Sequence, residues 1–247
     1  MPQVSIITPT YNCARFIEET IKSVQAQTFT DWEMIISDDC STDNTKEVIA
    51  PYLASDSRIK YICNDKNSGA AITRNNALRI ASGRWIAFLD SDDLWLPEKL
   101  EKQISFMIEN GINFSYTNYS EIGVTVSGIK RVGKFGMYAC CWPGCLSVMY
   151  DQKKIGVIQI NDIRKNNDTA MWLKVIQKSN CYLLKETLAK YRRRKGSITP
   201  PSIKDRILWH YRLFRDAEEL NKVSSFIWMI INIVGNSYKK VFYISRK

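Results

Sequence analysis

Apolar and polar positions alternate between two rhythms along the first half of the chain. Val4-Ser5-Ile6-Ile7-Thr8 is a short apolar run that reads as a buried strand, and Pro9-Thr10-Tyr11-Asn12 supplies turn chemistry. Ile17, Ile21 and Val24 then recur at helical spacing, which predicts a helix from about Ala14 to Gln27. The unit repeats. Trp32–Ser37 is a strand, residues 38–43 are a polar loop, and Val48, Ile49, Tyr52 and Leu53 share one face of a second helix. Ile59–Cys63 is a third strand, followed by the turn Asn67-Ser68-Gly69 and a helix over Ala70–Ala81. Trp85–Leu89 is a fourth strand, ending in Asp90-Ser91-Asp92-Asp93. Pro97 suits the first turn of a helix whose inner face holds Leu100, Ile104, Met107 and Ile108, and Asn113–Thr117 is a fifth strand.

Strand, polar loop and helix repeated in this way predict a parallel sheet with helices on both faces. Ligands of such sheets bind outside the carboxyl ends of the strands, where the polar clusters after strands one, two and four fall. The regularity stops after residue 118. Residues 120–136 predict a hairpin or excursion, Gly144–Tyr150 a strand, Asp168–Lys178 a helix, and Cys181–Leu184 and Leu188–Arg192 two strands. From Ser202 onward the pattern is helical and basic.

Composition narrows the class. The chain has 247 residues, 45% of them hydrophobic and 24% charged, which suits a globular protein able to bury a core. The longest apolar run, Phe226–Val234, is interrupted by Asn232 and is far short of the roughly 20 residues of a membrane span. The start has no basic region leading into an apolar core, so action in the cytosol is expected. Seven cysteines point to reduced thiols, and the cluster Cys140, Cys141, Cys145 lacks the partners of a zinc site.

Charge changes the picture only once it is divided. The net charge is +10, yet residues 1–184 hold 20 Lys+Arg and 20 Asp+Glu, while residues 185–247 hold 15 and 5. A neutral body carries a basic tail. In that tail Ile227, Ile230, Ile231, Val234, Tyr238, Val241 and Phe242 fall along one helical stripe, with Lys239, Lys240, Arg246 and Lys247 near the end. This suits an interfacial helix on an anionic membrane surface through residues 203–247; a helix docked on the body or on a second subunit is the alternative. His210, the sole histidine, sits between Trp209 and Tyr211 and suits a surface or packing role.

Asp90 and Asp92 offer hard oxygen donors at strand-end spacing, the set a divalent cation prefers. Taken with Val4–Asn12, Ser37-Asp38-Asp39-Cys40-Ser41-Thr42-Asp43, Asn67-Ser68-Gly69-Ala70-Ala71 with Arg74-Asn75, and Phe88-Leu89-Asp90-Ser91-Asp92-Asp93, the chain resembles the inverting family 2 glycosyltransferases. These have the GT-A fold, an α/β Rossmann-like, mostly parallel sheet flanked by helices. Asn167-Asp168 ahead of Trp172-Leu173 resembles the family's Glu-Asp motif with Asn for Glu, and Cys40 stands where the family commonly has Gly. The resemblance covers residues 3 to about 198. It divides the chain into a glycosyltransferase domain over 1–200, with a nucleotide-sugar half over about 1–117 and an acceptor half over about 118–200, and a basic amphipathic helical region over 201–247.

The resemblance implies roles. Tyr11 stacks on a uracil-type base in a pocket shaped by Thr8, Pro9 and Asp39. Asp90 and Ser91 lie by the ribose and diphosphate. Asp92, with Asp90, holds Mn²⁺ or Mg²⁺. Arg74 pairs with carboxylates or phosphate oxygens. Asp168 is the catalytic base, in a position that also suits a helix cap. Tyr191-Arg192-Arg193-Arg194-Lys195-Gly196-Ser197 resembles the segment that folds over the diphosphate, with Arg192 and Arg194 reaching it; a solvated charged face is the plain reading. Trp142, Gly144 and Asp162 fall in the acceptor region. The implied reaction is direct, metal-assisted displacement, from a nucleoside diphosphate sugar of UDP type to a lipid-linked or oligosaccharide acceptor, in bacterial O-antigen, capsule or similar surface polysaccharide synthesis. That places the protein on the inner face of the cell membrane, and a homo-oligomer is compatible. Nucleotidyl transfer is a second enzymatic reading, although Pro9-Thr10-Tyr11-Asn12 is no glycine-rich phosphate loop. Nucleic-acid binding through the tail is a third, disfavoured by the carboxylate loops of a neutral body, so no nucleic acid is expected.

Overall fold

The computed structural model describes residues 2–193 and 202–246. In chain order the elements are β1 (Val4–Thr10), α1 (Ile17–Gln25), β2 (Trp32–Asp38), α2 (Thr45–Ser55), β3 (Ile59–Cys63), α3 (Gly69–Ile80), β4 (Trp85–Phe88), β5 (Leu94–Trp95) and α4 (Lys99–Glu109). There follow β6 (Phe114–Glu121), β7 (Val124–Val126), β8 (Arg131–Val132), α5 (Lys134–Ala139), a 3₁₀ turn (Cys145–Ser147), β9 (Met149–Asp151) and α6 (Gln152–Ile155). The chain continues through α7 (Asn167–Val175), β10 (Cys181–Tyr191), α8 (Ile203–Arg212), a π turn (Leu213–Ala217), α9 (Lys222–Phe242) and β11 (Ile244–Arg246).

One sheet runs β11-β7-β6-β9-β4-β1-β2-β3, with β10 beside β6. β1 pairs parallel with β2 and β4, and β2 with β3; the parallel direction is what the repeating pattern predicts, and the order is set by the fold. All seven residues of β1 and of β2 are buried because helices cover both faces. Ile7 and Ile35 point into the core shared with α3 and α7, whereas Ile6, Met34 and Ile36 meet α1 and α4 on the other side. Together these make a GT-A-type α/β sandwich.

The second half departs from the sequence expectation in three places. β9 inserts antiparallel between β4 and β6, so the fifth predicted strand is one position removed from β4. Gly144–Tyr150 is mostly a 3₁₀ turn, with the strand beginning at Met149. The two strands predicted between 181 and 192 are one, β10, interrupted by register shifts around Thr187. The predicted excursion does open with a hairpin, β6–β7, turned by Ile122 and Gly123 at φ 45° and 72°.

The tail is helical, and α9 docks on the body by the face opposite its apolar stripe. Ser225, Met229, Asn232 and Lys239 are its buried residues, and Val234, at 62% exposure, and Val241, at 70%, lie on the outer side. The reason is the C-terminal end of α5, where carbonyls lack helical partners. Asn232 Nδ2 donates to Tyr138 O at 2.7 Å, and Lys239 Nζ to Cys141 O at 2.9 Å and Trp142 O at 2.6 Å. Lys239 is therefore not part of an outer basic cluster, and the reading in which the apolar stripe docks on the body does not hold. β11 closes the unit by pairing with β7. Among the described residues no helix is long and apolar enough to cross a membrane.

Candidate active site

The crevice forms where the carboxyl ends of β1, β2 and β4 meet the start of α7. The loops after β1 and β2 are latched to each other: Asn12 N donates to Ser41 Oγ at 2.9 Å, and Thr42 N to Asn12 Oδ1 at 2.8 Å. Tyr11, 43% exposed, stands at the rim. Thr8 and Pro9 lie beneath it as sheet residues, with Thr8 Oγ1 buried and lacking a hydrogen-bond partner. Cys40 has φ 59°, the left-handed conformation that glycine adopts without strain, which accounts for a glycine preference there.

Asp39 braces this end of the pocket. Its buried carboxylate accepts from Ser68 N at 2.7 Å, Gly69 N at 2.8 Å and Asn64 Nδ2 at 2.8 Å. It thereby occupies amides at the start of α3, where a negative charge is favoured. Asn64 was not legible as a site residue, since one Asn after a short strand carries no pattern.

Arg74 of α3 ties the crevice together. Its side chain is only 7% exposed, and Nη2 donates to Asp90 Oδ1 at 2.6 Å while Nη1 donates to Asn167 Oδ1. The planar guanidinium reaches the two from separate nitrogens in a fixed fork, a geometry that a single ammonium nitrogen lacks. Asn167 opens α7, so this one side chain links the aspartate turn after β4 to the segment carrying Asp168. A second link lies below. Trp172, one helical turn after Asp168, is fully buried and packs edge-on to Phe88, with ring centroids 5.0 Å apart. Phe88 is two residues ahead of Asp90, so the core contact and the Arg74 bridge hold α7 and the turn in one register.

Asp168 lies in the first turn of α7, after Asn166 at φ 54°. Its Oδ1 accepts from Thr169 N at 2.7 Å, and Oδ2 takes no hydrogen bond from a described residue. Among the described residues Asp90 also uses only Oδ1. Asp93 is buried, and burial, followed by the charge of Asp90, pushes its carboxyl up to about 9. Asp90 and Asp92 are oxygen donors of the kind Mn²⁺ or Mg²⁺ takes while keeping positions for water or phosphate oxygens, so the residues fit such an ion. Among the described residues no group of three or more His, Cys, Asp or Glu gathers as a metal site.

Other predicted residues are placed differently. Ser91 is turned inward, its hydroxyl donating to Cys13 Sγ at 3.0 Å, so it does not face the crevice. Arg192 spends its guanidinium on Glu19 Oε2 at 2.8 Å, Phe16 O at 3.0 Å, Thr20 Oγ1 at 2.9 Å and the Asp92 carbonyl. It pins the end of β10 to α1 and to the aspartate turn. Arg194, with Lys195, Gly196 and Ser197, lies outside the described residues. Trp142 is buried edge-on to Tyr243 with centroids 5.0 Å apart, because Lys239 draws its loop under α9. Gly144 sits under the Tyr119 ring, 2.6 Å from where a β-carbon would be. Neither is brought to the crevice surface. Asp162 is, in the wall of a cleft of about 750 Å³ between the start of α3, the loop before α7, and α8.

The model of one family, described as glycosyl transferase family 2, matches residues 5–162. The chain belongs to this family. As a family 2 glycosyltransferase it is 40% identical over 248 residues to TuaG of Bacillus subtilis (strain 168), named for teichuronic acid biosynthesis, with 97% of each chain covered. It is 38% identical over 213 residues to WfgD of Escherichia coli, named as a UDP-Glc:alpha-D-GlcNAc-diphosphoundecaprenol beta-1,3-glucosyltransferase, covering 82% of this chain and 81% of the other. Among solved structures, S. aureus TarS 1–349 in complex with UDP superposes with a TM-score of 0.69 at 20% identity, covering 92% of this chain and 69% of that one. The mannosyltransferase PcManGT of Pyrobaculum calidifontis, in complex with GDP-Man and Mn²⁺, gives 0.68 at 16%, covering 97% and 73%. These two share the fold.

Proposed function

We propose that this family 2 glycosyltransferase moves a sugar, with inversion, from a UDP-sugar to a glycan acceptor carried on a polyprenyl diphosphate in bacterial surface polysaccharide synthesis. The observation that carries this reading is the Arg74 bridge, which sets the Asp90 turn and the Asp168 segment on one crevice. Direct displacement needs those two groups on opposite sides of the reacting carbon. Asp168, whose Oδ2 takes no hydrogen bond from a described residue, takes the proton of the attacking hydroxyl, a role worth roughly 10²–10⁴-fold in rate. Tyr11 stacks on the base, above Thr8 and Pro9, and Asp39 holds the pocket wall. Asp92 and Asp90 would hold Mn²⁺ or Mg²⁺. When bound, that ion offsets the charge growing on the leaving diphosphate. Arg74 keeps Asp90 oriented throughout.

The names of the relatives support the acceptor class, and the outward apolar stripe of α9 beside the exposed Lys222 and Lys240 supports a peripheral seat on the inner, anionic face of the membrane. In this reading residues 1–117 handle the donor, 118–200 the acceptor, and 201–247 the membrane. The test is transfer from a panel of UDP-sugars, with Mn²⁺, to a synthetic sugar-diphosphate lipid, with the product's anomeric configuration read by NMR. Asp168→Asn and Asp92→Asn should each lose at least 100-fold in kcat. Full transfer by both variants, or retention of configuration, would refute the mechanism.

A further inference from the structure

The cleft that contains Asp162 carries cations the mechanism above leaves unused. Lys66 lies in the loop entering α3, Arg164 and Lys165 in the loop entering α7, and Arg212 at the end of α8. Against them stand Asp162 and Asp216, an excess of two positive charges in the lining. None of the four cations forms an ion pair among the described residues. Lys165 Nζ stands 4.9 Å over the ring of Trp209 on α8. Burial, followed by the charge of Arg164, lowers the Lys165 pKa, as expected where like charges meet without a counter-ion. On the donor side the position is reversed, because Arg74 is bound to Asp90 and Arg192 to Glu19. Uncommitted positive charge therefore lies on the Asp168 flank of the crevice.

Two features say what kind of anion belongs there. Lys165 is three residues ahead of Asp168, so the loop that lines the cleft leads directly into the helical turn carrying the candidate base. The far wall is α8, where Leu208 is one turn before Arg212, and Ile203, Ile207 and Leu208 are all exposed. Exposed apolar side chains of α8 thus flank the cationic seat, beginning with Leu208 beside Arg212, which suits a ligand with a diphosphate head and a hydrocarbon tail.

We propose that this cleft binds the diphosphate of the lipid-linked acceptor, with Arg164, Lys165 and Arg212 on the phosphates and the Ile203–Leu208 face of α8 along the first isoprene units. The assignment rests on the acceptor class proposed above and adds the residues that recognise its carrier. Holding the diphosphate here delivers the acceptor sugar to Asp168 and keeps it apart from the diphosphate of the donor.

The test uses the full chain, with tryptophan fluorescence and calorimetry as readouts and farnesyl diphosphate, inorganic pyrophosphate and UDP as probes. Farnesyl diphosphate should bind in the presence of saturating UDP and Mn²⁺. The double variant R164Q/R212Q, both positions exposed, should weaken it at least tenfold and leave UDP affinity unchanged. Ile207→Glu should weaken farnesyl diphosphate and not pyrophosphate, and pyrophosphate should bind wild type at least tenfold less tightly. No binding of farnesyl diphosphate, equal affinity in the double variant, or pyrophosphate binding as tight as the lipid would overturn the proposal. So would displacement by UDP with parallel loss of UDP affinity in the variant, because the cleft would then be the donor's. Should sugar transfer fail with every UDP-sugar while farnesyl diphosphate still binds through Arg164 and Arg212, the fault lies in the proposed reaction and not in this site.

Discussion

Gly235 gives a test in which helix propensity and tertiary structure predict opposite signs. It lies within α9, where replacing glycine by alanine normally adds about 1 kcal/mol of stability. Here a β-carbon would sit 2.1 Å from the carbonyl oxygen of Ala139 and 2.9 Å from its carbon. Carbon and oxygen settle at about 3.3 Å, so α9 must retreat by about 1 Å. That retreat stretches the bonds from Lys239 to Cys141 and Trp142, now 2.9 and 2.6 Å, and the 2.7 Å bond from Asn232 to Tyr138. Overpacking costs about 1–3 kcal/mol, and a weakened hydrogen bond from a buried ammonium a further ~1.5–3. Net of propensity, Gly235→Ala should destabilise by roughly 2–4 kcal/mol, or about 5–15 °C in Tm for a chain of this size. Scanning fluorimetry measures the shift, and limited proteolysis locates it, since the loosened element is α9. A Tm equal to or above wild type would refute the docking of α9 by its polar face.

Three further outcomes follow from particular side chains. Arg74→Lys keeps the charge but lacks the fork that reaches Asp90 and Asn167 from separate nitrogens, so kcat should fall roughly 10–100-fold, the equivalent of one charge-assisted bond, with little change in Tm; unchanged kcat would remove Arg74 from the positioning role. Burial pushes Lys99 down to about 7 from an unfolded value of 10.5, so its ammonium opposes folding fully below pH 7 and not at all above pH 10.5. The opposition is at most about 5 kcal/mol, offset in Lys99→Met by ~1–3 for the donor lost to Gln103 Oε1. Lys99→Met should therefore be more stable than wild type at pH 6, with the gain shrinking toward pH 10, and a pH-independent difference in denaturation midpoint would contradict this. Ile230→Glu with Val234→Glu, both on the outer stripe of α9, should abolish co-sedimentation with phosphatidylglycerol vesicles without moving Tm; retained binding would refute the membrane seat.

The βαβ half was legible because its strands are covered on both faces and read as unbroken apolar runs, separated by polar loops that end at one edge. Val4–Ile7 and Trp85–Phe88 were legible as parallel strands of one sheet, whereas their being neighbours was not, since strand order leaves no mark in the spacing. β9 could not, because three residues carry no period, and its place between β4 and β6 is set by contacts distant in the chain. The Arg74–Asn167 contact spans 93 positions and was equally hidden, although both residues stood out as motif members. Ser91, expected at the donor for its place in the aspartate turn, and Arg192, expected there for its place after the last strand, are instead held by Cys13 and by Glu19, Thr20 and the Phe16 carbonyl, contacts distant in the chain that no local pattern announces.

The basic tail shows why charge is informative only after it is placed. Arg192 is consumed by Glu19 and by backbone carbonyls, and Lys239 by the carbonyls beyond α5. Neither can serve a membrane or a nucleic acid. Arg212 stands with Arg164 and Lys165, two cations concealed within a body whose formal charges cancel. The apolar stripe of α9 faces outward because its inner face is fixed by Asn232 and Lys239 on the carbonyls at and beyond the end of α5 and by Trp228 and Met229 on the core, so the rest of the hydrophobic pattern was left on the surface. The cleft cations and the exposed stripe belong to adjoining elements, because α8, which ends in Arg212, packs on α9. A carrier lipid presenting a diphosphate at a membrane surface would meet cations and apolar side chains on those adjoining elements.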